Sequence, residues 1–301
     1  MKYASVDVGT NTVLLLIVED GREITDIVDI STITRLGEGL KDSGNLSDEA
    51  MVRTFNALEN YKKIINENDV CDILCVGTSA LREAANTEAF LKMVSEKLKI
   101  TIRVISEHDE AYYTYLSVKN DELIKDNKVI VVDIGGGSTE IMKGDGYGFF
   151  DFVSLPVGTV KLTEMYVKHD PPLKSELTSL VNHVRDLLQL SFEGFGSCLI
   201  GAGGTITSLT CILLGLDVFD KNKIHTARIT LKEINTLIHL MKNMNTNDRR
   251  AIRGMEKGRE DILLQGIILL REIMVYLCVD NLIVSIKGVR YGVIHERLRG
   301  V

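Results

Sequence analysis

The chain has 301 residues, of which 45% are hydrophobic and 26% are charged, a balance typical of globular proteins. This length predicts two domains rather than one. The net charge of −7 excludes a general nucleic-acid-binding protein, which usually carries a basic face, but it is compatible with a small anionic ligand. The five cysteines are odd in number and lack a C-x-x-C spacing, so we expect free thiols. No apolar run suits a signal peptide or a membrane span, and we therefore expect a cytoplasmic protein with no membrane partner.

Strands and helices alternate along the first half of the chain, which predicts an α/β layer structure. The pattern predicts two strands joined by a turn at 9–11 and a third strand after the Asp20-Gly21 hairpin. Helical periodicity over 46–68, with Ser47 as the N-cap, predicts the first helix. The elements predicted next are a strand at 72–77, a helix at 79–98, a strand at 100–106 and a helix at 107–119.

A polar stretch at 119–128 separates this half from a second half in which the pattern begins again. We place a domain boundary in that stretch. The elements predicted after it are strands ending at 134, at 138–144 and at 149–158, a helix at 173–192, a strand at 197–204, a helix at 205–216, mainly helical residues, a strand at 281–286 and a helix at 291–300.

The two halves share one short pattern. VDVGTNTVLLLI at 6–17 and VDIGGGSTEIM at 132–142 both contain Val-Asp-x-Gly, a turn and a following strand. The shared order of strand, turn and strand indicates two copies of one structural device, one in each domain.

The glycine turn of the second copy is not typical of a nucleotide-binding loop. A dinucleotide fingerprint opens a helix, and a P-loop requires G-K-[ST], whereas a strand follows here. A tight turn of Gly135, Gly136 and Gly137 would instead present backbone N–H groups to a phosphate, with Ser138 and Thr139 adding hydroxyl donors.

Two acidic residues flank this turn. Asp133 ends the first strand, and a carboxylate beside a phosphate is unfavourable unless a divalent cation lies between them. Glu140 lies on the return strand and is a second candidate neighbour of that cation. The alternative is that Asp133 caps the turn and Glu140 faces solvent.

A second glycine turn, IGAGGTITSL at 200–209, does open a helix. Gly203, Gly204 and Thr205 would place backbone donors and the positive helix end near an anion. Alternatively, the two glycines serve only the packing of a strand against a helix.

The stretch VGTSALREAAN places an arginine near the start of a helix. Thr78 or Ser79 is predicted to cap that helix, and Arg82 falls in its first turn, where a cation opposes the helix dipole. Such an arginine is explained if it binds an anion held by the helix end. A surface arginine that pairs with a neighbour is an equally good interpretation.

The stretch VISEHDEAYY contains a carboxylate without a predicted structural role. Ser106 and Asp109 have the spacing of a capping box, which gives Asp109 a structural role. Glu110 has none, so we predict that Glu110 is a free carboxylate at a functional site.

With these motifs in place, the chain resembles the exopolyphosphatase / guanosine pentaphosphate phosphohydrolase family of the actin, heat-shock chaperone and sugar kinase superfamily. The motifs run nearly from end to end: DVGTNTVLLLIVE, TRLGEGL, GTSALREAAN, VISEHDEA, VVDIGGGSTE, SLPVGTVKLTE, IGAGGTITSL and RGMEKGREDILLQGIILL. The resemblance implies an α/β fold of two ribonuclease-H-like domains that face each other across a cleft. It places the first domain at 1–122 plus 289–301, because the closing helix packs back, and the second at 123–288.

The resemblance also implies an activity. It predicts a Mg²⁺-dependent phosphatase, a homodimer, that releases orthophosphate from a small anionic phosphate substrate, either inorganic polyphosphate or guanosine pentaphosphate. The short length matches family members without the C-terminal region that carries His-Asp metal motifs. A regulatory module that binds the guanosine alarmone without hydrolysing it is an alternative, as is a small-molecule kinase of the same superfamily.

Residue roles follow from the same resemblance. Glu110 matches the catalytic carboxylate and Arg82 a phosphate-binding arginine, while Asp133, Glu140 and Asp7 match the metal-proximal acids. The matched phosphate-binding residues are Thr10, Asn11, Thr12, Thr78, Ser79, Gly135, Gly136, Gly137, Ser138, Thr139, Gly203, Gly204 and Thr205.

Three of the departures from the family pattern change the charge of the residue. Glu107 replaces a glycine, Tyr112 replaces an arginine, and Tyr291 stands where the family has Glu in Leu-Arg-Glu-Gly. The first two changes reduce the local attraction for anions and bear on substrate preference.

Overall fold

The computed structural model describes residues 1–121, 128–191 and 198–299. The described strands are β1 (Lys2–Val8), β2 (Thr12–Asp20), β3 (Ile24–Ile33), β4 (Asp72–Gly77), β5 (Ile102–Val104), β6 (Val129–Ile134), β7 (Thr139–Gly144), β8 (Phe149–Leu155), β9 (Cys198–Ala202), β10 (Arg228–Thr230) and β11 (Asn281–Val284). The helices are α1 (Leu40–Ser43), α2 (Asp48–Glu67), α3 (Ser79–Glu83), α4 (Thr87–Leu98), α5 (Glu107–Lys119), α6 (Thr159–Tyr166), α7 (Lys174–Ser191), α8 (Gly204–Leu213), α9 (Lys221–Ile224), α10 (Leu231–Met241), α11 (Thr246–Arg250), α12 (Leu263–Tyr276) and α13 (Val289–Arg299).

The chain divides into two compact units. Unit 1 comprises Met1–Ser117 and Val289–Val301, and unit 2 comprises Val118–Gly288. The boundary expected within 119–128 falls largely on residues 122–127, which lie outside the described part of the chain. Each unit contains one mixed sheet, and the predicted α/β class is confirmed.

Unit 1 has a five-stranded sheet in the order β3-β2-β1-β4-β5. The first three strands are antiparallel neighbours, whereas β4 runs parallel to β1 and β5 runs parallel to β4. This is the ribonuclease-H-like arrangement. The apolar residues of one sheet face, including Val6, Leu15 and Ile17, pack with residues of α2 and α4 to form the core of this unit.

Helix α2 begins where the sequence predicts. The side chain of Ser47 accepts a hydrogen bond from the Ala50 N–H at 3.2 Å and so caps the first turn. Leu58 and Ile65 are buried in the core, and Phe55 packs against it from the same helix. Local capping and the helical spacing of apolar residues therefore account for this element.

The single helix predicted at 79–98 is wrong, because α3 ends at Glu83 and α4 begins at Thr87. The backbone leaves the helical region at Ala84, which has φ −74° and ψ 132°. The Asn86 side chain bonds both the N–H and the carbonyl of Leu46, at 2.8 and 2.9 Å. This contact between residues 40 positions apart holds the break against the helix propensity of the local sequence.

Unit 2 repeats the arrangement. Its six-stranded sheet has the order β10-β11-β9-β6-β7-β8, in which β6, β7 and β8 are antiparallel and β9 runs parallel to β6. The order β8-β7-β6-β9-β11 matches that of unit 1 strand by strand, which confirms the fold duplication expected from the two Val-Asp-x-Gly segments. Strand β10 was missed in the sequence because it has only three residues.

The turn after the first strand of each unit is closed by the same kind of backbone hydrogen bond. In unit 1 the Gly9 N–H donates to the Thr12 carbonyl at 3.0 Å, and in unit 2 the Gly135 N–H donates to the Ser138 carbonyl at 3.1 Å. None of the described helices has the length and apolar character needed to span a membrane.

Candidate active-site residues in the two units

The turn of unit 1 contains two buried polar side chains with unused hydrogen-bonding atoms. Thr10 and Asn11 are 6% and 5% exposed. Within the described part of the chain, Thr10 Oγ1 and Asn11 Oδ1 have no hydrogen-bond partner, although Asn11 Nδ2 donates to Thr12 Oγ1 at 3.3 Å. Buried polar atoms are usually bonded, so this turn is a candidate ligand site.

The same turn packs against the start of α3 through Gly37. A side chain at Gly37 would overlap the methyl group of Thr10 and would also touch Ala80. The Thr78 N–H donates to the Val8 carbonyl at 3.2 Å. Three segments that are distant in the sequence therefore meet at this point. They are the turn after β1, the segment before α1 and the start of α3.

The N-cap of α3 is one of the two predicted residues, but its side chain does not cap the helix. Thr78 occupies the N-cap position without a side-chain capping bond. The Ser79 hydroxyl donates to Glu83 Oε1 at 2.7 Å, within the helix. The backbone carbonyl of Thr78, which accepts from Arg82 N at 3.1 Å, begins the helix instead.

Arg82 and Glu110 form a close ion pair. Arg82 Nη1 lies 2.6 Å from Glu110 Oε2 and also donates to the Ile105 carbonyl at 3.1 Å. The two side chains are 16% and 12% exposed. The prediction of Glu110 as a free carboxylate is therefore wrong, and Arg82 lies in the last turn of a five-residue helix rather than at the start of a long one.

The start of α5 shows why Glu110, and not its neighbour, reaches Arg82. Ser106 Oγ accepts from the Asp109 N–H at 3.0 Å, which fixes the first turn of the helix. The Asp109 side chain is 42% exposed, whereas the Glu110 side chain is 12% exposed. A neighbouring guanidinium in a partly buried site is a strong, charge-assisted partner for that carboxylate.

In unit 2 the glycine turn packs on the N-terminus of α6. The carbonyl of Gly135 accepts from Thr159 N at 3.0 Å, and that of Gly136 accepts from Val160 N at 2.9 Å. A side chain at Gly158 would overlap the backbone of both glycines. The carbonyls of the turn are thus fixed by helix α6, which holds the turn in one conformation.

A row of polar side chains crosses the sheet beside this turn. Asp133 on β6 pairs directly with Glu140 on β7, and Glu140 pairs with Ser154 on β8. Residues directly opposite each other project from the same sheet face. Glu140 is only 2% exposed and accepts a hydrogen bond from Ser154 Oγ at 3.0 Å, so it is not the solvent-facing residue of the alternative interpretation.

The second glycine turn lies against Asp133. Gly203 has φ 90°, and a side chain there would overlap Asp133 Oδ1. The Asp133 carboxylate therefore occupies the space that a side chain at position 203 would fill. Asp133, Glu140 and the 203–205 turn are brought together within unit 2.

Arg259 is a candidate site residue that the sequence reasoning missed. A side chain at Gly204 would overlap its guanidinium group, and Arg259 Nε lies 2.5 Å from Glu256 Oε2. Arg259 is 6% exposed. A buried arginine at the N-terminus of α8 supplies positive charge to the glycine turn. The only sequence signal was its position in the motif RGMEKGREDILLQ, to which no residue role was given.

Two of the predicted phosphate-binding hydroxyls donate inside unit 2. Thr139 Oγ1 donates to the Val157 carbonyl at 2.8 Å, and Thr205 Oγ1 donates to the Ile134 carbonyl at 3.0 Å. Both residues are almost fully buried. The backbone N–H groups of the turns and the Ser138 side chain are therefore better placed to bind an anion.

Comparison with known proteins identifies the family. A profile described as the Ppx/GppA phosphatase family matches residues 16–300. The chain belongs to the Ppx/GppA phosphatase family. The Ppx/GppA structure from Aquifex aeolicus has 32% sequence identity and a TM-score of 0.85, and the match covers 100% of this chain and 98% of that one.

Two curated relatives show how the chain relates to other proteins with this region. The bifunctional 3-dehydroquinate synthase/phosphatase of Fusobacterium nucleatum is 35% identical, over 97% of this chain but only 46% of that protein. Exopolyphosphatase 2 of Mycobacterium tuberculosis is 28% identical, over 97% of both chains. The chain thus spans about half of the first relative and nearly all of the second.

A departure from the Ppx/GppA pattern at Tyr112 has a structural explanation. The Tyr112 hydroxyl donates to Glu296 Oε2 at 3.1 Å and so connects α5 to α13. Burial, together with this carboxylate, raises the pKa of Tyr112. Glu107 is exposed at the start of α5. Position 112 therefore contributes to packing within unit 1.

Proposed function

We propose that the protein hydrolyses the terminal phosphoanhydride bond of inorganic polyphosphate or of guanosine pentaphosphate and releases orthophosphate. The observation that carries the proposal is the carboxylate pair Asp133 and Glu140 on one sheet face beside the glycine turn, in a chain of this phosphatase family. Phosphoryl transfer needs positioned donors and charge neutralisation more than covalent catalysis. In this chain, backbone amides can act as the donors, and the paired carboxylates and the arginines can contribute to charge neutralisation.

The residues of unit 2 fit a Mg²⁺ ion. No group of three or more His, Cys, Asp or Glu side chains is placed to hold a metal ion within the described ranges. Mg²⁺, however, is commonly held by one or two carboxylates and completes its shell with water and substrate phosphate oxygens. Asp133 and Glu140, directly opposite each other on neighbouring strands, supply two such carboxylates. When bound, Mg²⁺ would neutralise charge that develops on the phosphate oxygens.

We assign the remaining roles as follows. Glu110 accepts a hydrogen bond from the attacking water, whose oxygen bonds to the terminal phosphorus as the bridging P–O bond breaks. The shortened chain leaves with the bonding electron pair, and the water proton passes to the carboxylate. Arg82 fixes Glu110 through the 2.6 Å contact and adds positive charge near the phosphate. Each turn by itself, 9–12 in unit 1 and 135–138 in unit 2, offers backbone N–H groups that can bind phosphate oxygens.

A substrate panel tests the proposal. Purified protein with Mg²⁺ is mixed with polyphosphate, guanosine pentaphosphate or ATP plus candidate acceptors, and free phosphate is measured. We expect phosphate release from one of the first two substrates, and Glu110→Gln to lower kcat by about 10²-fold or more. The matched control is Glu88→Gln, which alters an exposed first-turn glutamate of α4 in the same unit and should leave kcat unchanged.

Other results would change the assignment. Tight binding of the guanosine alarmone without phosphate release would replace the enzyme with a regulatory binding module. ATP consumption that depends on an acceptor would indicate a kinase. Full activity of Glu110→Gln would refute the assigned mechanism.

The proposed partner is a small polyanion rather than a nucleic acid, because the net charge is −7 and positive charge is needed only locally. A homodimer, expected from the family resemblance, and a cytoplasmic location, expected from the sequence, belong to the same proposal. Light scattering of the eluting protein tests the first of these: a mass of about 33.5 kDa at all concentrations would show a monomer.

A further inference from the structure

The first turn of α13 carries a partly buried charge network in unit 1. Arg290 Nη2 donates to Asp29 Oδ2 at 3.1 Å, and the Tyr291 hydroxyl donates to Asp26 Oδ2 at 2.8 Å and to Asp29 Oδ2 at 3.3 Å. The Arg290 guanidinium also lies 5.0 Å from the centre of the Tyr291 ring. The Arg290 side chain is held by its ion pair with Asp29 and by its contact with the Tyr291 ring, and the Tyr291 hydroxyl is itself bonded to the aspartates.

Strand register places Asp7 on the face where this network lies. Tyr3 and Asp7 point to the same face of β1, because they are four residues apart on one strand. Tyr3 packs with Tyr291 and Ile294 of α13, so α13 covers that face. Asp7 therefore projects toward the side of the sheet that Arg290 occupies.

The register also places Asp29 on this face, two strands away. Leu16 of β2 pairs with Asp29 of β3 and with Ser5 of β1, and the next residues on the same face, Leu14 and Asp7, pair with each other. The Arg290 guanidinium, anchored on Asp29, thus lies on the sheet face to which Asp7 belongs, and the charge of Asp7 acts on it. Burial by itself would lower the pKa of Arg290, but the charges of Asp29 and, to a smaller extent, Asp7 raise it.

The location of Asp7 makes its charge important. It lies two residues before Gly9, at the start of the turn whose Thr10 and Asn11 side chains have unused polar atoms. An uncompensated carboxylate there would repel a phosphate anion. An opposite charge on the same partly buried sheet face reduces that repulsion.

We propose that Arg290 is a positioning residue that, anchored by Asp29 and Tyr291, neutralises the Asp7 carboxylate and so allows the 9–12 turn to accept a phosphate group. This inference rests on the proposed function and deepens it. In this proposal the charge of Asp7 is balanced by the Arg290 side chain rather than by a metal ion. Asp133 and Glu140 remain the proposed Mg²⁺ ligands. It also gives a reason for tyrosine at 291, whose hydroxyl donates to the two aspartates of β3, where a glutamate would add a third carboxylate.

Binding of inorganic tripolyphosphate tests the proposal without any need for turnover. Calorimetric titration in the absence of metal is carried out for wild type, Arg290→Gln, Asp7→Asn and the double variant. We expect Arg290→Gln to weaken binding about tenfold, because Asp7 is then uncompensated. Asp7→Asn alone should bind as well as wild type. The double variant should return to within about twofold of wild type, which shows coupling between the two positions.

A merely structural role for Arg290 predicts a different pattern. The loss caused by Arg290→Gln would then persist in the double variant, and that result would overturn the proposal. Arg290→Lys, which keeps the charge, should bind nearly as tightly as wild type. If Arg290→Gln does not fold, a folded double variant that binds tripolyphosphate supports the proposal, and a double variant that fails to fold or bind overturns it.

The binding assay also separates this inference from the proposed hydrolysis. A wild-type protein that binds tripolyphosphate but releases no phosphate would refute the enzymatic function and leave the inference intact. Wild-type protein that does not bind tripolyphosphate would overturn the inference. An Asp7→Asn variant that loses Mg²⁺ binding would identify Asp7 as a metal ligand and overturn it as well.

Discussion

Gly203 and Gly39 both have a positive φ, 90° and 71°, but their surroundings differ. A side chain at Gly203 would overlap the Asp133 carboxylate, whereas nothing lies within 4 Å of a side chain at Gly39. Alanine costs about 1 kcal/mol of backbone strain at Gly39, where ψ is 2°, and up to about 3 kcal/mol at Gly203, where ψ is 166°. Only the change at 203 displaces a proposed metal ligand.

We therefore expect Gly203→Ala to lower kcat/KM for phosphate release by about 10²-fold, since displacing a catalytic group by about 1 Å has that effect. Gly39→Ala should stay within about twofold of wild type, because strain alone leaves Asp133 in place. Steady-state kinetics over a range of Mg²⁺ concentrations measures both variants. Equal activity of the two would show that the position of Asp133 does not matter for the reaction.

Single residues also show what the sequence could reveal about the site. The two turns and Asp133 were identifiable, because glycines and a strand-ending carboxylate are local signals. The contact between Arg82 and Glu110 was not, since it joins residues on α3 and α5 that are 28 positions apart in the sequence. Arg259 was missed for the same reason, because its partner Gly204 lies 55 residues away in the sequence, from position 204 to 259.

Helix α2 is attached to the sheet by a buried tyrosine. The Tyr61 hydroxyl lies 2.9 Å from the Val13 carbonyl on β2 and 2.8 Å from Thr32 Oγ1 on β3. Burial raises the pKa of Tyr61 from 10.0 to about 12. The folded state therefore holds this proton more tightly than the unfolded state. The resulting stability is complete below pH 10 and is lost as the pH rises through 12.

We expect the free energy of unfolding to fall between pH 9 and 11 by about 1 kcal/mol more in wild type than in Tyr61→Phe. The variant should be less stable near neutral pH, by about 1 kcal/mol for the lost hydrogen bonds, but have a flatter pH dependence. Urea titrations at each pH measure this. Tyr147→Phe, at a residue that is 80% exposed, is the control and should follow the wild-type curve. Parallel curves for wild type and Tyr61→Phe would contradict the prediction.

At the level of elements, the sequence predicts best where local signals are strong. Helix α2 has both its cap and its apolar face in the sequence, and its start was predicted correctly. The break between α3 and α4 depends on Asn86 bonding to Leu46, a tertiary contact that overrides local propensity. Strand β10 exists because Arg228 and Thr230 pair with β11, and three residues are too few to show alternation.

The whole molecule contains the same fold twice, yet the two copies differ in their charges. In unit 1 the aspartate before the turn, Asp7, is on the sheet face that holds Arg290. In unit 2 the corresponding aspartate, Asp133, is opposite a second carboxylate, Glu140. A single acid beside an arginine does not suit a divalent cation, whereas two carboxylates on one face do. The duplication was visible in the sequence, but this asymmetry depends on the tertiary positions of Arg290 and Glu140.

This asymmetry predicts that Mg²⁺ alone will stabilise one copy of the turn and not the other. Hydrogen exchange, followed by mass spectrometry, is compared with and without Mg²⁺ at ten times its dissociation constant. Binding at that concentration stabilises the bound state by about 1.4 kcal/mol, so amides around 133–140 and 203–205 should exchange about tenfold more slowly. Amides of 7–12 should be unaffected until tripolyphosphate is added.

The variant Asp133→Asn is expected to abolish the Mg²⁺ effect on 133–140, because one of the two proposed carboxylate ligands is lost. Asp7→Asn should leave that effect unchanged, since the proposed pairing of Asp7 with Arg290 involves no metal. Equal protection of both turns by Mg²⁺ would instead mean that the two copies bind metal alike. In that case the charge of Arg290 would not decide which aspartate meets the cation, and the assignment of different roles to the two halves would be wrong.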